Sequence, residues 1–171
     1  ILTCAANAQE DPSVRIASAE TRLDGEVYTL SADLEYALGA EPMEALANGV
    51  PIVFELQIEV RAPRRLLPDA TLASLRQRYR FKFLSLTQRY LVTNLNTNER
   101  NSFRSQAEAL EFLGRIRDLP ILDRALLDPR EAYLVRMRVI LDIESLPAPL
   151  RLLAYLSSQW RISSEWAEWS L

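Results

Sequence analysis

Histidine is absent from this 171-residue chain, cysteine and lysine occur once each, and glycine appears only four times. Without an imidazole there is no Ser-His-Asp or Cys-His nucleophile pair, no histidine-ligated metal, and no ordinary general acid or base near neutral pH. The sole lysine, Lys82, has its nearest downstream serine, Ser85, three positions on and across a strand, so Ser-Lys catalysis is not expected. Gly25, Gly39, Gly49 and Gly114 stand isolated and build no phosphate loop. No run approaches the roughly 18 apolar residues of a membrane-spanning helix. Together these absences predict a protein that is not an enzyme and that carries no cofactor.

Carboxylates are plentiful, but their spacing is uninformative. Glu55 and Glu59 share one face of a candidate strand, and Asp118, Asp123 and Asp128 recur in what reads as a loop. Neither set fits the D-x-D-x-D-G pattern of a calcium loop, so both are read as solvent-facing charge and no metal site is expected.

The start of the chain, ILTCAANAQEDP, places Ala6 and Ala8 in an A-x-A-like arrangement before Gln9. That suits signal-peptidase cleavage after Ala8, leaving residues 1–8 as a signal-peptide remnant and 9–171 as a single globular domain in the periplasm. Lipidation of Cys4 is the competing expectation, opposed by Thr3 where a small residue is normally found. Cleavage would remove the only cysteine, leaving an oxidising compartment tolerated but unexploited.

Charge is distributed unevenly. Residues 1–60 hold 11 acidic and 2 basic side chains, residues 61–104 hold 2 and 10, and the remainder 10 and 8. A net charge of −3 argues against general nucleic-acid binding but leaves room for a local patch. The candidate is RQRYRFKF, where Arg76, Arg78, Arg80 and Lys82 alternate with Tyr79, Phe81 and Phe83. Period-two alternation puts the aromatics inward and the cations outward, so the two classes do not share a nucleic-acid-binding face. Arg136 and Arg138 occupy the wet face of a later strand and extend an anion-binding surface if that strand is the neighbour. If the neighbour is instead the acidic strand at 50–61, Glu55 and Glu59 neutralise it. Strands consecutive in sequence are often neighbours, which favours neutralisation.

Periodicity predicts strands over 14–23 and 26–38 around an Asp24-Gly25 turn, and over 50–61, 74–86, 89–93 and 133–143. Short helices are expected at EPMEALANG, after the Ser105–Glu108 capping box with Leu110, Leu113 and Ile116 as its stripe, and after Pro149. One or two short strands follow at QWRISSEWAEW. The fold class is mainly β (α+β): an antiparallel β-sandwich of immunoglobulin-like type with two or three short helices. The alternative is an open curved antiparallel sheet packed on helices.

Trp160, Trp166 and Trp169 fall within ten residues. They are candidates for an exposed partner-binding platform, although large aromatics more often close a core.

The segments EALANGVPIVFELQIEV, RYRFKFLSLTQRYLV, SFRSQAEALEFLG, YLVRMRVILDIESLPAPLRL and SSQWRISSEWAEWSL, in that order, resemble the proteobacterial family catalogued as domain of unknown function 4390. The resemblance implies an exported protein, brings no catalytic residues, and places members beside a gene for a membrane sensor histidine kinase of the nitrogen-regulation type. Some members carry aromatics in the loop corresponding to RAPRRLLPD, where this chain has Arg64, Arg65 and Leu66. The expected function is therefore an exported non-enzymatic interaction module partnering a sensor kinase or another envelope protein. The alternative is a periplasmic binding protein that takes an anionic lipid headgroup or polysaccharide on its Arg-rich sheet face.

Overall fold

A computed structural model describes residues 12–63 and 70–171. The expectations for residues 1–8, Cys4 and the loop carrying Arg64, Arg65 and Leu66 lie outside the described residues. The strands are β1 (Ser13–Asp24), β2 (Val27–Ala37), β3 (Ile52–Ala62), β4 (Ala70–Leu84), β5 (Arg89–Asn94), β6 (Arg100–Phe103), β7 (Arg115–Asp123), β8 (Leu134–Leu141) and β9 (Ala167–Ser170). Three helices accompany them, α1 (Ala40–Ala47), α2 (Gln106–Gly114) and α3 (Ala148–Leu156). All pairings are antiparallel, in a three-stranded sheet β1-β2-β7 and a six-stranded sheet β6-β5-β4-β3-β8-β9. The chain is thus mainly β with two antiparallel sheets, and the larger, open sheet carries helices as the alternative architecture anticipated.

Local chemistry accounts for the turns and helix ends. Asp24 pairs with Val27, so Gly25 is the first residue of a two-residue turn, and its φ of 61° is the left-handed value such a turn requires. Helix α1 ends on Gly49 at φ 81°, with the Gly49 and Val50 amides donating to the Leu46 and Ala45 carbonyls. That is the glycine-terminated cap that satisfies the last helical carbonyls. Ser105 Oγ accepts from the Glu108 amide, while the Glu108 carboxylate reaches back to the Arg104 amide, one residue beyond the usual capping-box partner.

Alternation sets the core. Leu30, Ala32 and Leu34 of β2, Ile52, Phe54, Leu56, Ile58 and Val60 of β3, and Val135, Met137, Val139 and Leu141 of β8 are all buried in one contiguous cluster. Phe81 is buried, and Phe83 stacks on Tyr90 at 4.9 Å, so the aromatics of β4 do point inward. Tyr36 packs on Phe54 at 4.8 Å, and burial pushes the Tyr36 phenol well above its usual range. The two sheets are linked at their edge strands β1 and β9 by Trp169 Nε1 donating to Thr21 Oγ1 at 3.2 Å.

Strand β7 departs from expectation. Asp118 and Asp123 lie in this strand rather than in a loop, and Ile116 belongs to it rather than to the α2 stripe. Pro120 would break an interior strand, but β7 is the edge of its sheet, where a missing amide donor is tolerated. Two register shifts against β2, and Asp118 at φ 47°, absorb the irregularity. Helix α2 runs directly into β7 at Gly114, where a β-carbon would stand 2.3 Å from the Leu34 carbonyl oxygen. Only glycine permits that approach. Strand β4 also differs: it begins at Ala70 and ends at Leu84, leaving Leu86 in the turn.

Candidate functional site

The wet face of the six-stranded sheet is where the basic and acidic strands meet, and strand order decides its character. Acidic β3 lies between the two arginine-bearing strands, β4 on one side and β8 on the other. Glu55 stands opposite Arg78, Gln57 between Arg76 and Arg138, and Glu59 opposite Arg136. Side chains directly opposite in antiparallel strands lie close enough to pair.

They do pair. Glu55, nearly buried, sits 3.8 Å from the Arg76 guanidinium and 3.7 Å from that of Arg78. Arg78 Nη2 also donates to Asp142 Oδ2 at 2.5 Å. Arg138 Nε donates to Gln57 Oε1 at 2.7 Å, and Gln57 Nε2 donates to Glu55 Oε1 at 2.6 Å, so the amide relays one strand's charge to the other. Arg136 closes on Glu59 at 2.7 Å. Trp166 lies against Arg136 and Arg138, whose guanidinium carbons are 4.2 and 4.6 Å from its ring centroid. Four of the six candidate anion-binding residues therefore already hold a carboxylate, an amide or an indole.

The remaining two belong to a different region. Arg80 faces Val53 on β3 and Thr93 on β5, while Lys82 lies past the end of the β3 pairing and faces Leu91. On the same face, Thr93 stands opposite Arg100, Leu91 opposite Ser102, and Leu84 opposite Arg89. Arg89 spends its guanidinium on neutral Ser102, donating to Oγ at 2.6 Å and to the carbonyl at 2.9 Å. Among the described residues, no carboxylate lies within 4 Å of Arg80, Lys82, Arg89 or Arg100. Adjacent strands run about 4.8 Å apart, which puts the Arg80 and Arg100 backbones about 10 Å from each other across Thr93. Neither Arg89 nor Arg100 is a candidate from the sequence; the β4-β5 pairing places Arg89 on this face and the β5-β6 pairing places Arg100 there.

The tryptophans do not form one platform. Trp160 is 1% exposed in a short 3-10 turn and donates Nε1 to Glu41 Oε2 at 2.9 Å. Trp169 points inward from β9, opposite Val135. Trp166 alone stands on the wet face, beside the arginines.

A second surface appears on α3. This nine-residue helix docks through Ala154 and Leu150 and leaves Leu152, Leu153, Tyr155 and Leu156 exposed, Leu152 at 70% and Leu156 at 84%. Leu153 also lines a groove of ≈ 410 Å³ shared with Ala45, Asn48, Val50 and Trp160. Four leucines and a tyrosine in nine residues were the available sequence signal, because an apolar arc wider than one docking face leaves some of its residues uncovered.

Among the described residues, no three His, Cys, Asp or Glu side chains gather as a metal site requires, and no helix is long and apolar enough to cross a membrane. No curated protein and no solved structure matches the chain. The family described as Domain of unknown function (DUF4390) matches residues 11–170, and the chain belongs to that family.

Proposed function

We propose that the protein is a non-enzymatic interaction module of the periplasm, and that its principal contact surface is the apolar ridge of α3. The observation that carries this reading is the exposure of Leu152, Leu153, Tyr155 and Leu156 on one short helix. Large apolar side chains gathered in a patch mark a surface that a partner covers. The partner we assign is the outer domain of a membrane sensor histidine kinase of the nitrogen-regulation type, the neighbour implied by the family resemblance. Leu153 and the groove beside Trp160 offer an anchoring point, since binding energy concentrates where a partner side chain fills a pocket. Titration of the purified kinase outer domain by calorimetry tests this. Saturable binding that Leu152→Glu with Leu156→Glu weakens at least tenfold is the expected result, and no heat of binding to the parent protein at either of two well-separated temperatures contradicts it.

The second reading is an anion site on the Arg-rich face. What supports it is the group Arg80, Lys82, Arg89 and Arg100, which lacks any carboxylate partner among the described residues. It is narrower than the six-residue surface expected from the sequence, because Arg76, Arg78, Arg136 and Arg138 are already engaged.

A further inference from the structure

The β4-β5 hairpin ends in the four-residue turn Ser85-Leu86-Thr87-Gln88, with Leu86 99% exposed. The turn is held by the Thr87 amide donating to the Leu84 carbonyl and by Gln88 Nε2 donating to the Ser85 carbonyl, with Gln88 at φ 53°. An ordered turn that presents a leucine wholly to water gains nothing from that residue within the fold. Directly behind it on the wet face come Leu84 and Arg89, then Lys82 and Leu91, then Arg80, Thr93 and Arg100. The cations of this region are spread over three strands, Arg80 and Lys82 on β4, Arg89 on β5 and Arg100 on β6.

We propose that this hairpin is a membrane-contacting tip, with Leu86 entering the headgroup region of an anionic bilayer and Arg80, Lys82, Arg89 and Arg100 lying against lipid phosphates. The proposal rests on the anion reading above and names the ligand as a lipid surface rather than a soluble anion. Three features select that occupant. A free anion is held by convergent donors in a concavity, whereas these cations lie on an open sheet. A soluble polysaccharide needs no leucine at the leading edge, whereas a bilayer buries one. Cations near an anionic leaflet each favour binding by about 1 kcal/mol, a factor of about 5, and the described carboxylates of this face lie elsewhere, against Arg76, Arg78 and Arg136.

Co-sedimentation of the purified protein with phosphatidylcholine vesicles, with and without about a third phosphatidylglycerol, tests the assignment. Heparin affinity in the absence of lipid serves as the soluble polyanion arm. The expected result is retention on phosphatidylglycerol vesicles only, weakened in high salt. Leu86→Glu should lower the vesicle partition coefficient at least tenfold while leaving heparin affinity within about twofold. Arg80→Ala with Lys82→Ala should lower the vesicle value by about 20-fold or more, two factors of about 5. Both substitutions are at the surface, and circular dichroism confirms that each variant is folded. Heparin binding without vesicle binding overturns the bilayer assignment and leaves the anion reading standing, while failure of both arms removes both. Vesicle binding that Leu86→Glu does not change, with Arg80 and Lys82 still required, overturns the insertion of the tip.

Discussion

Two halves of one sheet face carry the same kind of residue to opposite ends. Arg76 and Arg78 lie on the half of β4 that runs beside Glu55, Gln57 and Glu59, where they are drawn into a network that also takes in Arg136, Arg138, Asp142 and Trp166. Arg80 and Lys82, two and four residues further along from Arg78, run beside Val53, Thr93 and Leu91 and find no carboxylate among the described residues. Alternation puts all four on one face; the neighbouring strand decides which meet a carboxylate and which, among the described residues, do not. A basic run in a strand is therefore a question about its neighbours, and its meaning can change within two residues.

The contrast can be broken most forcefully at Glu55, the nearly buried acid in the network. Glu55→Ala removes the carboxylate facing Arg76 and Arg78 and strips Gln57 of its acceptor. Urea unfolding should show a loss of about 1–3 kcal/mol, the range for breaking a charge-assisted buried interaction whose partners retain some water. A loss under about 0.5 kcal/mol would place Glu55 among ordinary surface charges. Glu59→Gln should cost less, about 1 kcal/mol in the same measurement, because Glu59 and Arg136 are each about a quarter exposed. Trp166→Ala should cost about 0.5–1 kcal/mol in the same measurement through the lost contacts with the Arg136 and Arg138 guanidinium groups.

The smallest effect belongs to the other sheet and serves as a control for the face. Hydrogen bonds from Arg117 and Ser18 hold the Asp33 carboxyl below its ordinary value of 3.8. A lowered folded-state value means that this contribution is complete above the unfolded value and disappears as pH falls through the folded one. Asp33→Asn should therefore differ from the parent protein near neutral pH and converge with it as pH falls below the ordinary carboxylate range in urea titrations.

Much of the fold was legible because burial on one face writes itself as alternation. Strands β2, β3 and β8 carry apolar residues at every second position, and the turns at Gly25 and Gly49 are fixed by a backbone conformation that glycine favours. β7 was hidden because Pro120 and the direct entry from Gly114 look like strand breakers, and only its edge position makes them acceptable. The candidate site was legible in part. Arg80 and Lys82 announce themselves by alternation, but whether they are neutralised depends on strand order, which local periodicity does not encode. Leu86 and the α3 leucines were harder still, since an apolar residue reads as core until its exposure is known.

The central claim is that Arg78 belongs to the fold and Arg80 to a ligand, and paired substitutions measured on both axes test it directly. Arg78→Ala should lose about 1–3 kcal/mol in urea unfolding, because Asp142 and Glu55 lose a partner, and should keep phosphatidylglycerol vesicle binding within about twofold. Arg80→Ala should keep its stability within about 0.5 kcal/mol and lose about fivefold in vesicle affinity. If the two variants shift stability and vesicle affinity in parallel, the division of this face into a neutralised half and a binding half is wrong.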